Sequence, residues 1–298
     1  MSSASRVAVA GTAQRLGWLF ALFYVFLWAS AFVPSKILAV EGQPLWMLVV
    51  RFFIAGLIMC AIVVTTRRSF PATSREWLEL LALGALANAF YLGLSYLSFR
   101  QLSSGVGAIL ASTNPLILAL LAPRFLGEAL NARKVLGLLL GFAGVLAIMI
   151  ERAGTGTARP QDVAMNVAGV LCAVISTILF KRIQRRHDLL VLNAVQLVGA
   201  AVILIPFALL LEGGFLPVAT PELIASLTYL VIVLSVGASL LWFWMLRHGE
   251  ASRVSAFYFL TPVFGLALGW LLLHEHVGPR DLLGLAAIAA GISLVQRS

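Results

Sequence analysis

Carboxylates are the first side chains to place in an apolar sequence, because they carry protons and pair with cationic ligands. The chain has 12 Asp and Glu residues. Each lies in a polar connection or within about one helical turn of the end of a long apolar run. Membrane sites for cations and protons depend on an embedded carboxylate. The pattern therefore favours a neutral, zwitterionic or anionic ligand.

The cysteines and histidines do not indicate a catalytic nucleophile or a metal site. Cys60 and Cys172 lie inside apolar runs and are expected to pack as small hydrophobic groups. His274 and His276 flank Glu275, but a spacing of two does not match a helical zinc pair. The four histidines all lie in connections or at the ends of runs: His187, His248, His274 and His276. The sequence predicts no enzyme activity, no metal and no cofactor.

Two apolar runs carry polar and aromatic residues on one face, at spacings of three, four and seven. Polar faces of membrane helices turn towards the interior of the bundle. We expect the two faces to line one central cavity, although Ser and Asn can also simply pack helices together. The residues are Asn88, Tyr91 and Ser95 in the run 77 to 99, and Ser235, Ser239 and Trp242 in the run 223 to 246.

Prolines interrupt three of the runs and mark further candidate contacts. Each lacks a backbone donor and crowds the carbonyl four residues earlier, so the helix bends and frees a carbonyl. Pro34, Pro115 and Pro262 are therefore predicted hinges, with a static packing kink as the alternative. The remaining predicted substrate contacts lie beside these bends or on the matching faces of other runs: Trp28, Ser30, Asn114, Ser176, Tyr258 and Thr261.

Lys36 and Arg51 are cations inside apolar runs, and either could attract a substrate carboxylate. Lys36 is near a run end, where long cationic side chains usually reach the interface, but it stays a candidate contact. Arg51 lies deeper and is expected to be a structural pin to backbone carbonyls.

Glu128 and Glu275 precede the last apolar run of each half of the chain. We expect both to be structural, as terminal charges or capping partners of Arg133 and Arg280.

The composition requires a lipid environment for these residues. The 298 residues are 61% hydrophobic and 11% charged, with a mean hydropathy of +1.01, which exceeds what a soluble core needs. Because a bilayer core needs roughly 20 apolar residues per helix, we predict an all-α membrane protein with ten transmembrane helices. The runs are 16 to 40, 44 to 66, 77 to 99, 104 to 124, 133 to 150, 162 to 180, 189 to 211, 223 to 246, 252 to 273 and 280 to 296.

The charge distribution predicts the orientation. Lys and Arg number 21 against 12 acids, but they punctuate the runs and do not form the continuous basic face of a nucleic-acid binder. If the N-terminus is cytoplasmic, fifteen of the 21 cations fall on the cytoplasmic side. The positive-inside bias then predicts that both termini are cytoplasmic.

An internal repeat divides the chain into segments 1 to 150 and 151 to 298. The block from Asn114-Pro115 to Glu128 recurs 147 residues later as Thr261-Pro262 to Glu275. Nearer the start of each segment, Arg51 maps to Gln196 at an offset of 145. Since each segment holds five predicted spans, the second enters the membrane inverted, an arrangement common in secondary transporters.

These blocks, with Pro44 and Arg51, resemble the EamA-type ten-helix exporters of the drug/metabolite transporter superfamily, and particularly its aromatic amino acid exporters. The resemblance implies a multi-pass protein of the bacterial inner membrane that exports small metabolites, most of all amino acids, by alternating access between two inverted repeats. A passive channel or another metabolite class stays open. Partners are the substrate and the lipid bilayer, with no nucleic acid; the sequence leaves the oligomeric state open.

Overall fold

A computed structural model describes residues 19–98, 102, 109–152, 159–216, 219–264, 267 and 278–298. All regular structure within these ranges is helical. The helices are α1 (Leu19–Glu41), α2 (Pro44–Thr65), α3 (Ser74–Ser98), α4 (Ile109–Leu126), α5 (Ala132–Arg152), α6 (Pro160–Ile183), α7 (Leu189–Glu212), α8 (Pro221–His248), α9 (Ala251–Ser255, continued by a 3-10 turn Ala256–Leu260) and α10 (Pro279–Gln296).

Eight of the ten predicted spans are confirmed, within the described residues, as helices long and apolar enough to cross a membrane: α1 to α8. Their outward faces carry large apolar side chains that water would not tolerate in a contiguous belt. Leu210 of α7 is 82% exposed and Leu120 of α4 is 69% exposed. The helices therefore bury their shared core and leave a hydrophobic surface for lipid.

Helix ends follow local sequence signals. Pro44 occupies the first turn of α2, where its missing N–H costs nothing. The Glu212 carboxylate accepts from the backbone N–H groups of Leu45 and Trp46 at 3.1 to 3.2 Å, so α7 caps α2. Gly127 and Gly213, with φ of 69° and 75°, end α4 and α7 in backbone conformations that other residues rarely adopt.

One end of the bundle is held together by charged and polar contacts among helix ends and connections, and we call it the basic end. Glu79 accepts from Arg186 at 2.9 Å and contacts His187 at 3.1 Å. Lys181 donates to the carbonyls of Leu246 and Gly249 at 2.9 and 2.8 Å. Connections 66–73, 127–131, 184–188 and 249–250 all lie here, and the connections after α1 and α7 lie at the opposite end.

Helices α5 and α10 cross through two reciprocal pairs of glycines. A Cβ on Gly137 would lie 2.7 Å from the carbonyl oxygen of Gly291, and a Cβ on Gly144 would lie 2.6 Å from that of Gly284. Residue numbers rise along one helix as they fall along the other, so the helices are antiparallel. Small residues let membrane helices approach this closely.

Two long helices contain an internal π segment that the helical periodicity did not predict. In α3 it covers Ala85–Phe90, and in α8 it covers Leu230–Ala238. Such segments insert a residue into the helical ladder and frequently mark functional sites. Asn88 and Ser235, which the sequence repeat relates by 147 residues, lie one in each segment. The π segments therefore place both polar side chains at the centre of the bundle.

Candidate functional site

A large cavity lies between the helices and is lined by polar and aromatic side chains. Its walls come from α1 to α4, α6 to α8 and the segment from Tyr258 to Thr261. It encloses about 1040 Å³ including its open mouth, which is the size range of small-molecule sites. Among the described residues that line it, none is Asp or Glu. The cavity can therefore solvate a polar molecule without offering it a fixed negative charge.

Five aromatic rings form one wall of the large cavity, and we call them the aromatic box: Tyr24, Trp28, Tyr91, Trp242 and Tyr258. The ring centroids of Tyr24 and Trp242 are 5.2 Å apart, and those of Trp28 and Tyr91 are 6.5 Å apart, both stacked. The hydroxyls of Tyr24 and Tyr258 are hydrogen-bonded at 2.7 Å. A box of this kind offers apolar faces to a ring or aliphatic chain and π faces to an ammonium.

A polar network faces the aromatic box and joins four helices. From α3, Asn88 donates to the side-chain oxygen of Gln196 at 3.3 Å. On α7, Gln196 donates to Asn193 at 2.8 Å, and Asn193 donates to the carbonyl of Ser235 in α8 at 3.1 Å. The network ends on α2, where Arg51 Nε donates to Ser235 Oγ at 2.9 Å. This network buries several amides without leaving them unpaired, as an apolar core demands.

A second, smaller cavity adjoins the first on the side away from the basic end. Ser35, Ser95 and Asn166 are among the residues that line it. Asn166 lies near the start of α6, whereas Phe180 of the large cavity lies near the end of that helix at the basic end. Six residues line both cavities and form the partition between them: Trp28, Arg51, Tyr91, Leu92, Ala111 and Leu234.

The structure brings together eleven of the thirteen predicted substrate contacts, and their contact with substrate stays a prediction. Ser95 lines the small cavity. Ser30 and Lys36 line neither cavity. Ser30 instead bonds to the hydroxyl of Tyr229 at 2.5 Å, and Lys36 is exposed on the outside of α1. The ten in the large cavity are Trp28, Asn88, Tyr91, Asn114, Ser176, Ser235, Ser239, Trp242, Tyr258 and Thr261.

The predicted hinges coincide with local breaks in the helices. Helix α1 has a turn at Ala31, three residues before Pro34. The α4 break lies at residues 112–113, just ahead of Pro115, where the Thr113 N–H donates to the Leu110 carbonyl at 3.0 Å. Pro262 follows the 3-10 turn Ala256–Leu260. In each case the chain tightens ahead of the proline because its ring crowds the preceding turn.

The contacts of two predicted structural residues differ from those expected. Arg51 bonds to the hydroxyls of Ser235 and Tyr96, at 2.9 and 3.2 Å, and not to backbone carbonyls. Glu128 pairs with the start of α9, not with Arg133.

Glu128 accepts from the N–H of Ala251 at 2.6 Å and from both the N–H and the hydroxyl of Ser252. The free N–H groups of a helix start attract a carboxylate more specifically than an exposed cation does. Glu275 lies outside the described residues.

Some residues of the cavity were not predicted from the sequence. Tyr24 could have been predicted, since it lies four residues before Trp28 on the same face of α1. Gln196 could also have been predicted, because Gln196 and Asn193 place two amides at a spacing of three in an apolar run. Thr177 resembles an ordinary packing residue, and its hydroxyl donates to the Ala173 carbonyl at 3.0 Å.

Comparisons with known proteins agree with this architecture. The model of the EamA-like transporter family matches the chain twice, over residues 15–150 and 163–297. An uncharacterized transporter of Archaeoglobus fulgidus is 30% identical over 91% of this chain and 93% of its own length. The uncharacterized inner membrane transporter YedA of Escherichia coli is 26% identical over 94% of this chain and 89% of its own length.

A solved crystal structure superimposes with a TM-score of 0.79, covering 95% of this chain and 97% of the other. At 17% sequence identity this likeness concerns the fold alone.

Proposed function

Because the chain belongs to the EamA-like transporter family, we propose that it exports small neutral or zwitterionic metabolites, with amino acids, including aromatic ones, as the substrate class. The observation that carries this choice is the composition of the large cavity. Its described walls combine the aromatic box with amide and hydroxyl groups and hold no carboxylate. Such a surface accepts a ring together with a polar head group, and offers an organic cation no counter-ion.

The proposed architecture is ten spans in two inverted repeats. The double family match supports two related segments. The glycine crossing of α5 and α10 is reciprocal. Gly137 of α5 packs against α10, and its repeat counterpart Gly284 of α10 packs against α5. Reciprocal contacts of this kind are expected at a two-fold axis. An axis lying in the membrane plane would place the substrate site near mid-depth, between the repeats.

We propose a bacterial inner membrane location with both termini and the basic end in the cytoplasm. The connections gathered at the basic end include Arg67, Arg68, Arg185 and Arg186. Positively charged short connections are retained on the cytoplasmic side.

Labelling of single cysteines tests the orientation, in a variant without Cys60 and Cys172. Exposed Arg185→Cys and Leu216→Cys lie at opposite ends of the bundle. In intact cells a membrane-impermeant maleimide should label only the cysteine at position 216. Labelling of position 185 from outside contradicts the orientation.

Alternating access is the proposed mechanism, and exchange kinetics separate it from a passive channel. Proteoliposomes loaded with unlabelled L-phenylalanine should accumulate labelled L-phenylalanine transiently, with a saturable rate. A channel would equilibrate the label without that overshoot. Trp242→Ala removes one ring of the aromatic box and should slow phenylalanine exchange about tenfold or more, because a buried ring contact contributes roughly 1.5 kcal/mol beyond its area. If no amino acid exchanges, the substrate class is wrong.

A further inference from the structure

Arg51 is a buried cation for which the described structure supplies no anion. It is 5% exposed and lies seven residues into α2, inside the hydrophobic bundle. Its described hydrogen-bond partners are the neutral hydroxyls of Ser235 and Tyr96. No carboxylate of the described residues forms an ion pair with it. A buried charge without a counter-ion is costly, and the Phe52 ring, whose centroid lies 5.4 Å from the guanidinium carbon, compensates only part of that cost.

One nitrogen of the Arg51 guanidinium is left without a hydrogen bond within the described part of the chain. Nε and Nη1 are held by the two hydroxyls, whereas Nη2 has no partner among the described residues. Since Arg51 lines both cavities, the remaining N–H groups are available to a molecule that occupies the partition between them.

A structural role alone does not require this charge. Gln196, at the repeat-related position on α7, bonds to Asn88 at 3.3 Å. Arg51 on α2 bonds to Ser235, the repeat counterpart of Asn88. The two bonds thus join corresponding helices, and the neutral amide shows that a cation is not needed to hold them. The positive charge of Arg51 is an addition to the shared scaffold.

We propose that Arg51 binds the carboxylate of the transported substrate at the partition between the two cavities. The inference rests on the proposed function and names the chemical group that the site selects. Arg51 presents N–H groups that suit a carboxylate oxygen. The aromatic box shares Trp28 and Tyr91 with the partition and can hold the ammonium or ring of the same molecule. An amino acid satisfies both halves of this site, whereas an amine lacking a carboxylate satisfies only one.

The test measures binding by purified protein in detergent, with three ligands that share one phenyl ring. L-phenylalanine and 3-phenylpropionate carry a carboxylate, and L-phenylalaninamide replaces it with a neutral amide. The two carboxylates should bind wild-type protein and raise its Tm, and the amide should bind at least tenfold more weakly. Arg51→Gln should reduce affinity for both carboxylates about ten- to a hundredfold, the effect of losing a charged hydrogen bond, and leave amide binding unchanged.

Three variants separate anion binding from structural support. Lys36→Gln removes a cation from an exposed site off the cavities and should leave the preference for carboxylate intact. Tyr96→Phe removes one hydroxyl partner of Arg51 while keeping the charge, and the preference should also persist. If Arg51→Gln does not fold, Arg51→Lys carries the test, since it keeps a cation and should still prefer the acid. Equal loss of acid and amide binding in the Arg51 variants overturns the proposal.

A second arm distinguishes failure of the inference from failure of the proposed substrate class. If wild-type protein binds none of the phenyl compounds, the aromatic amino acid assignment is wrong. Acetate, lactate and succinate are then compared with their amides by the same Tm measurement. Stabilisation by any of these carboxylates that disappears in Arg51→Gln supports Arg51 as the anion site. No carboxylate effect, or one that survives Arg51→Gln, overturns it.

Discussion

Two hydrogen bonds join the two segments matched by the family model. They connect corresponding helices but use different side chains. In one crosslink, Arg51 of α2 reaches Ser235 in the π segment of α8; in the other, Gln196 of α7 bonds to Asn88 in the π segment of α3. The helices involved correspond at offsets of 145 and 147 residues. The first crosslink carries a full charge and the second carries none. Scaffold geometry is thus common to both segments, and the chemistry that could select a ligand is concentrated in one.

The glycine crossing of α5 and α10 is the feature that both segments share most closely, so breaking it should have the largest effect. A Cβ on Gly291 would lie 2.5 Å from the Gly137 carbonyl oxygen, and the nearest atoms are backbone that cannot move aside. Gly291→Leu should abolish the folded protein, as should its repeat counterpart Gly144→Leu. Monodispersity in detergent measures this. Gly214→Ala, where a Cβ meets no atom within 4 Å, is the control.

Removing the neutral crosslink should cost stability and spare selectivity. Gln196→Leu leaves Asn88 and Asn193 without their buried partner, which costs about 1 to 3 kcal/mol for each unsatisfied group. The Tm should fall by several degrees. Preference for L-phenylalanine over its amide should remain, because Arg51 is untouched. Loss of that preference would show that the Gln196 crosslink also contributes to substrate selectivity.

Asn114 and Thr261 precede the repeated prolines and line the large cavity, so they test whether both segments contact substrate. Asn114→Leu and Thr261→Leu should each reduce exchange several-fold while membrane insertion is retained, because the first replaces a polar wall group with an apolar one and the second enlarges a side chain at the cavity wall. Thr261→Val should keep or raise stability, since the hydroxyl it removes is buried without a partner. Parental exchange rates in both Leu variants would exclude these residues from the site.

The smallest effect is expected at the Tyr24 to Tyr258 hydrogen bond, which joins the two segments across the aromatic box. Tyr24→Phe keeps the ring and its stacking on Trp242, and removes one hydroxyl. Unfolding free energy should fall by about 1 kcal/mol, with little change in exchange of L-phenylalanine. Tyr24→Ala serves as the contrast, because it opens the wall of the box. A Phe variant as inactive as the Ala variant would assign the hydroxyl a direct role in transport.

Local patterns predicted the membrane helices and many of the cavity residues. The unbroken apolar runs predict the ends of α2 and α7 to within one residue and those of α6 to within three, because a helix is the structure that satisfies its own backbone in lipid. Polar side chains placed at helical spacing in such runs have no favourable direction except inwards. Asn88, Ser235 and Trp242 were therefore predictable without any knowledge of how the helices pack.

The repeat offsets, too, can be read directly from the sequence, and they pair Arg51 with Gln196 and Asn88 with Ser235. They do not reveal that Arg51 bonds to Ser235 and that Asn88 bonds to Gln196. That bond exists because α2 packs near the π segment of α8, and α7 near that of α3, an arrangement set by contacts distant in sequence. A π segment has no clear signature in a pattern of 3.6 residues per turn, since it shifts the phase by a single residue.

Sequence alone determined the lipid environment, the helical class and the absence of acids from the centres of the apolar runs, since each follows from residue type and local period. Tertiary structure decided which partners the intramembrane cations and the carboxylates of the connections have. Lys36 and Arg51 are both cations within apolar runs, and the structure exposes Lys36 on α1 and encloses Arg51 between two cavities. Glu128 accepts a hydrogen bond from the first residue of α9 and does not pair with nearby Arg133. Electrostatic partners depend on distance in space, and only packing sets that distance.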